Sequence, residues 1–199
     1  MMLFEKTQVA DADLPLAEFR AQLQLGTGFA DDGFQDPVLV PILRAAIAAI
    51  EAETGKVLMT KRYQHVLTAW RDLARLALPV APVSEIVSLT ITDMGGGETV
   101  VDPAAYRLIP DGHRPEVVSS SWGLPTIPVG GTAEVLFDAG FGLTWSDVPS
   151  DLRQAVLILG THYYDNRGLT TERGRRLPEG IQPLLARHRV VRLFGGGRT

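Results

Sequence analysis

The stretch Trp145–Gly168, WSDVPSDLRQAVLILGTHYYDNRG, decides how the rest of the chain is read. Pro149 suits a first helical turn, and Ser146, Asp147, Ser150 and Asp151 offer side-chain oxygens to the N–H groups left unpaired there. The charges of Asp147 and Asp151 also suit the positive end of a helix dipole. Leu152, Val156, Leu159 and Tyr163 follow at spacings of four, three and four, which puts them on one face. Ala155, Ile158 and His162 widen that face, and Asn166 and Gly168 supply a left-handed stop. Burying the four large side chains is worth about 6–12 kcal/mol at most. The pattern predicts one well-bounded helix around which the chain is organised.

Upstream of this helix the pattern is shorter and alternating. Val57–Trp70 reads as an extended strand, and Ser84–Asp93 and Glu98–Val101 read as a hairpin turned at Met94–Gly97. Tyr106–Ile109, Glu116–Ser119 and Thr132–Phe137 are further short strands, while Leu78–Val83 is a proline-punctuated connector. Together they predict a small antiparallel sheet, sandwich or partial barrel. Before them, Pro15–Leu25 predicts a short helix with Leu16, Phe19 and Leu23 on one face. Asp36-Pro37 opens a second helix, closed by Gly55, with Val40, Leu43, Ile47 and Ile50 along its apolar stripe. Its alanines allow another helix to approach closely. Downstream, Glu179–Arg189 predicts a last helix with Ile181, Leu184 and Leu185 inside. The expected fold is α+β: a helical bundle of about four helices interrupted by a small antiparallel β insert. Its parts are N-terminal helices over 14–55, the β module over 56–142, C-terminal helices over 146–190 and a tail over 191–199.

Composition narrows the class. The 199 residues fit one domain, and 45% apolar content is ordinary for a globular chain. The absence of cysteine excludes disulfides, thiolate zinc sites and a cysteine nucleophile, and fits a cytosolic protein. The start, MMLFEKTQVADAD, lacks a signal-peptide pattern, and the apolar run Ala45–Ile50 is far short of a membrane span. A soluble protein with no membrane partner is expected. Charge is uneven: residues 1–60 carry nine acids and four bases, whereas residues 151–199 carry four acids and nine arginines. An acidic front and a basic back suit head-to-tail contacts between copies, or a solvated surface of uneven charge.

Candidate chemistry is sparse. His65, His113, His162 and His188 form no H-E-x-x-H or H-x-H cluster. His162 and Asp165 stand at helical i, i+3 spacing, the geometry of an acid–base or ligand pair and equally of a surface hydrogen bond or a subunit contact. With His113 they define one alternative, a small metal-dependent or hydrolytic enzyme. Ser119–Ser121 lacks a nucleophile elbow, and the glycine runs at Gly95–Gly97 and Gly140–Gly142 lack the lysine of a phosphate loop. A second alternative is a β module that binds protein or carbohydrate through Trp122 and Trp145.

The ordered pieces carry a resemblance. Leu78-Pro79 with Pro82-Val83, Asp102-Pro103 with Tyr106-Arg107, Phe137-Asp138-Ala139-Gly140-Phe141-Gly142 and Val148-Pro149 occur in sequence. Asp151-Leu152-Arg153-Gln154-Ala155 and His162-Tyr163-Tyr164-Asp165-Asn166-Arg167 complete the series. In this order and spacing they resemble the head–tail connector (adaptor) proteins of long-tailed bacteriophages and phage-like gene transfer agents, over roughly residues 52–189. The resemblance implies a structural protein with no catalysis, metal or cofactor. It implies a homo-oligomeric ring, commonly of twelve copies, beneath the portal protein, with a tail-side neck (stopper) protein as a further partner. DNA would pass through the lumen without specific binding, in a particle assembled in the bacterial cytoplasm. The portal contact is expected at Arg187, Arg189, Arg192, Leu193 and Phe194. Subunit packing is expected at Ala45, Ala48, Ala52, His162 and Arg167.

Overall fold

A computed structural model describes residues 2–25, 36–166 and 177–189. The helix predicted at the centre forms as α3 (Ser150–Asp165), with Leu152, Ala155, Val156 and Leu159 buried. Pro149 stands just outside as its N-cap, and a 3-10 turn at Trp145–Asp147 precedes it. That turn is held by a capping box: the Thr144 hydroxyl and N–H meet the Asp147 carboxylate at 2.9 Å each. Against α3 lie α1 (Leu16–Gln22), α2 (Asp36–Thr54) and α4 (Gln182–Leu185). α2 ends as its sequence predicts. Gly55 adopts φ +67°, and its N–H bonds the Glu51 carbonyl at 2.8 Å.

The strands are β1 (Met2–Glu5), β2 (Lys61–Leu67), β3 (Arg75–Ala77), β4 (Val83–Thr92), β5 (Glu98–Val100), β6 (Tyr106–Ile109), β7 (Glu116–Ser119) and β8 (Thr132–Ala139). They make an antiparallel five-stranded sheet in the order β1-β2-β8-β4-β5 and a three-stranded sheet in the order β3-β7-β6. Strand alternation places Tyr63 and Leu67 of β2 and Ala133, Val135 and Phe137 of β8 on one buried face. There they form a core with Leu76, Tyr106 and Val117 of the smaller sheet. Tyr63 stacks on Phe137 with ring centroids 5.8 Å apart. On the opposite face Arg62 grips Asp138 with two hydrogen bonds of 2.8 Å.

The segment after α2 serves both layers. Val57 enters the sandwich core, whereas Leu58 and Met59 enter the helical core. Charge marks the boundary: Lys61 Nζ lies 2.8 Å from Glu51 and 3.3 Å from Glu5. Burial alone would lower the Lys61 pKa, but these carboxylates outweigh it and hold the amine above its usual range. Burial also pushes the neighbouring Tyr63 phenol up to about 12.

The expected helical bundle with a small β insert is thus overturned: the protein is a mixed α/β structure rich in sheet. Its eight described strands build a sandwich with an apolar core of its own beside the helical one. Two helices carry less weight than their patterns suggest, since α1 spans 7 residues and α4 only 4. The chain's start, with no amphipathic signal of its own, becomes edge strand β1 through pairing with β2. Arg75–Ala77, just before the proline connector, becomes β3 by pairing with β7.

Candidate assembly surfaces

The C-terminal segment is fastened to the helices by charge. α4 buries Leu185, and the turn after it brings Arg187 and His188 to the first turn of α3. Arg187 Nε lies 2.6 Å and His188 Nε2 2.8 Å from the same Asp151 oxygen. Burial opposes ionisation of Asp151, but the His188 hydrogen bond and charge and the Arg187 guanidinium outweigh it, holding its pKa below the usual carboxylate range. His188 is itself buried and meets the Phe141 ring edge-on at 6.4 Å. Arg189 pairs with Glu53 near the end of α2. Both described arginines expected at the portal contact therefore have partners within the chain. Arg192, Leu193 and Phe194 lie outside the described residues.

Of the residues expected in subunit packing, Ala45, Ala48 and Ala52 are exposed on α2. The buried alanine of that stretch is Ala46, which faces the helical core. Ala48 lines a cleft of about 240 Å³ with Val9, Leu14, Ile47 and Met59, rimmed by Glu51 and Lys61. Val9 forms part of one wall, and its segment is strapped to α2 by Arg44, which donates to the Val9 carbonyl at 2.7 Å and to Asp11 at 3.1 Å. His162 is half-buried; its Nδ1 lies 3.2 Å from the Asn166 amide. Arg167 lies outside the described residues.

The chemistry of the alternatives is not brought together. His113 sits in the turn between β6 and β7, with Nδ1 3.1 Å from Lys56 Nζ. His162 lies near the end of α3, and Asp165 is exposed. Among the described residues no three His, Cys, Asp or Glu side chains are grouped to hold a metal. Trp145 is buried, donating its Nε1–H to Glu18 at 3.0 Å, whereas Trp122 is fully exposed, so the two rings form no common platform.

Beyond Trp122, the sequence gives no sign of the other apolar residues exposed on the loops of the sandwich. Leu73, Met94, Trp122 and Val129 are 71–102% exposed. Met94 and Val129 stand where β4 ends and β8 begins, the end of the sheet remote from the Lys61↔Ala139 junction with the helices. Loop residues carry no periodicity, so only their exposure reveals them.

No family model and no curated protein matches this chain. Solved structures do. The neck of an empty gene transfer agent (GTA) particle, computed with C6 symmetry, contains a chain 46% identical, with TM-score 0.90, over 98% of this chain and 99% of that one. The virion of a native GTA particle contains one 46% identical with TM-score 0.86 and the same coverage. The neck of a native GTA particle, computed with C12 symmetry, contains one 42% identical with TM-score 0.84, again over 98% and 99%. With that identity sustained from end to end on a shared fold, the chain belongs to the neck-protein family of phages and phage-like gene transfer agents.

Proposed function

We propose that this protein is a structural, non-catalytic adaptor that forms a ring at the head–tail junction, joins the portal to the tail and extends the DNA channel. The observation that carries the reading is its near-full-length likeness to a chain of a GTA neck computed with C12 symmetry. Charge is consistent with it. A cyclic ring needs two different surfaces that meet from copy to copy, and the chain is acidic in front and basic behind. A conduit lined by acidic segments would also avoid the tight phosphate binding that slows DNA. The portal contact is placed at Arg187, Arg189, Arg192, Leu193 and Phe194. Since Arg187 and Arg189 already hold Asp151 and Glu53, they anchor the base of the segment beside the portal, and the contact itself falls mainly to Arg192, Leu193 and Phe194. A stopper-like neck protein would meet the tail side.

The test is to mix the purified protein with its portal and weigh the complex by size exclusion with light scattering. The expected result is a stable complex with many adaptor copies. Removing the residues after Val190 should preserve the circular dichroism spectrum and abolish docking. A full-length protein that stays monomeric beside the portal would exclude the adaptor role.

A further inference from the structure

We infer that neighbouring copies join through the two open edges of the five-stranded sheet, β1 of one copy pairing in parallel with β5 of the next. This names the interface within the ring proposed above and rests on that reading. The hydrogen-bond pattern of the sheet leaves both edges ready. In antiparallel pairs successive residues alternately face the partner strand and away from it. The Lys6 N–H donates to the Arg62 carbonyl at 2.8 Å, and in the same register Phe4 meets Gln64 and Met2 meets Val66. The N–H and C=O groups of Leu3 and Glu5 therefore point out of the sheet. At the other edge Val101 donates to Leu89 at 2.8 Å and Asp93 to Gly97 at 3.0 Å. Glu98 and Val100 are thereby the outward residues of β5. Among the described residues no strand flanks either edge.

Direction and chemistry select the partner. Five antiparallel strands make β1 and β5 point the same way. A rotation about an axis along the strands preserves that direction, so it brings β5 of one copy beside β1 of the next as parallel neighbours. The two edges differ, which is what a head-to-tail ring requires and what a two-fold dimer does not. In a parallel ladder with Leu3 opposite Thr99, the Leu3 N–H reaches the Glu98 carbonyl and the Leu3 carbonyl receives the Val100 N–H. The faces also agree. Leu3 and Thr99 lie on the face of His65 and Ile91, and Phe4 and Val100 lie on the opposite face. Phe4 is 44% and Val100 69% exposed. Opposed across the seam, they cover each other. Each edge carries one glutamate among its outward residues, Glu5 and Glu98, which this register sets at opposite ends of the seam, and Leu3 and Val100 leave its middle free of charge and proline.

The test uses the full-length chain with the portal protein of the same particle. Val100→Pro deletes the outward N–H and spares the bonds to β4, and Leu3→Pro does the same at the other edge. Both should keep the wild-type circular dichroism spectrum and lower the yield of the multi-copy complex at least tenfold. Where a proline variant melts early, a cross-link decides. The chain has no cysteine, so Phe4→Cys with Val100→Cys and a short bifunctional thiol reagent should give a ladder of covalent multimers. Either single variant should stay at monomer mass. A wild-type complex of normal mass with no ladder, and proline variants that assemble normally, would overturn the edge pairing and leave the ring. A wild-type chain that never assembles on the portal would overturn the ring reading and the pairing with it.

Discussion

Gly160 is where α3 meets α1, and adding one methyl there tests how tightly the helical core is built. A Cβ at Gly160 would stand 2.8 Å from Phe19 Cε2 and 3.1 Å from Cζ. Carbon contacts are comfortable at about 3.5–4.0 Å, so the ring must retreat by roughly 0.7–1 Å. Phe19 is completely buried and has nowhere to go. Overpacking of this kind costs about 1–3 kcal/mol, against which alanine gains about 1 kcal/mol over glycine as a helix former. Gly160→Ala should therefore destabilise by about 1 kcal/mol, a fall of roughly 2–4 °C in Tm for a chain of this size. Phe19→Leu removes the colliding ring atoms. In that background only the propensity gain survives, so the same glycine change should stabilise by up to about 1 kcal/mol. Urea titrations of the four proteins, with equal m values, measure the coupling, expected at about 1–3 kcal/mol. Additivity within about 0.5 kcal/mol, or a Gly160→Ala variant more stable than wild type, would show that α1 does not bear on α3 as described.

Three other outcomes are expected. Gly140 has φ +147°, and a Cβ there would lie 2.5 Å from the Thr60 backbone, so Gly140→Ala should cost about 3 kcal/mol or more at the urea midpoint. Asp151→Asn removes the charge that holds Arg187 and His188; it should cost about 1–3 kcal/mol and speed amide hydrogen exchange over residues 177–189 before any global unfolding. His65 is fully buried, with neither ring nitrogen hydrogen-bonded among the described residues, and burial, with the N-terminal charge adding to it, holds its pKa below the usual value. A pKa depressed by folding means stability complete above about pH 6.5 and lost as pH falls through the folded value. His65→Leu should flatten that slope between pH 7 and 5 in thermal melts, while the carboxylate-driven loss below about pH 4 persists.

Where a segment carries its own period, the sequence already shows the element. α2 spans the residues its apolar stripe and closing glycine predict, and the hairpin of β4 and β5 turns at Met94–Gly97 as its alternation predicts. Elements made by pairing rather than by pattern were not legible. β1 and β3 are strands of four and three residues, too short to show alternation, and each exists because a longer strand lies beside it. The balance of the fold is hidden from the sequence for the same reason. Each strand alone looks minor, and only the two stacked sheets reveal a second core beside that of the helices. At the candidate site, the arginine bias of the C-terminal segment was visible, but the partners of Arg187 and Arg189 were not. Asp151 lies 36 residues before Arg187 and Glu53 lies 136 before Arg189, and no local spacing connects them. The family resemblance rests on the order and spacing of short pieces in α3, β6, β8 and the turns between elements, so it does not depend on how those elements are weighed against one another.

The two apolar cores meet along a narrow seam, where Val57 turns one way, Leu58 and Met59 turn the other, and Lys61 sits between Glu5 and Glu51. Substitutions in one core are separated from the other by that seam, and distant sites with no shared partner combine almost independently. The architecture therefore gives evolution two separate fields of change. The sandwich can acquire new loops and a new surface while the helices keep theirs, and each surface can drift with its own neighbour. For an adaptor as proposed above, a change in one core that suits one neighbour would leave the residues of the other core untouched.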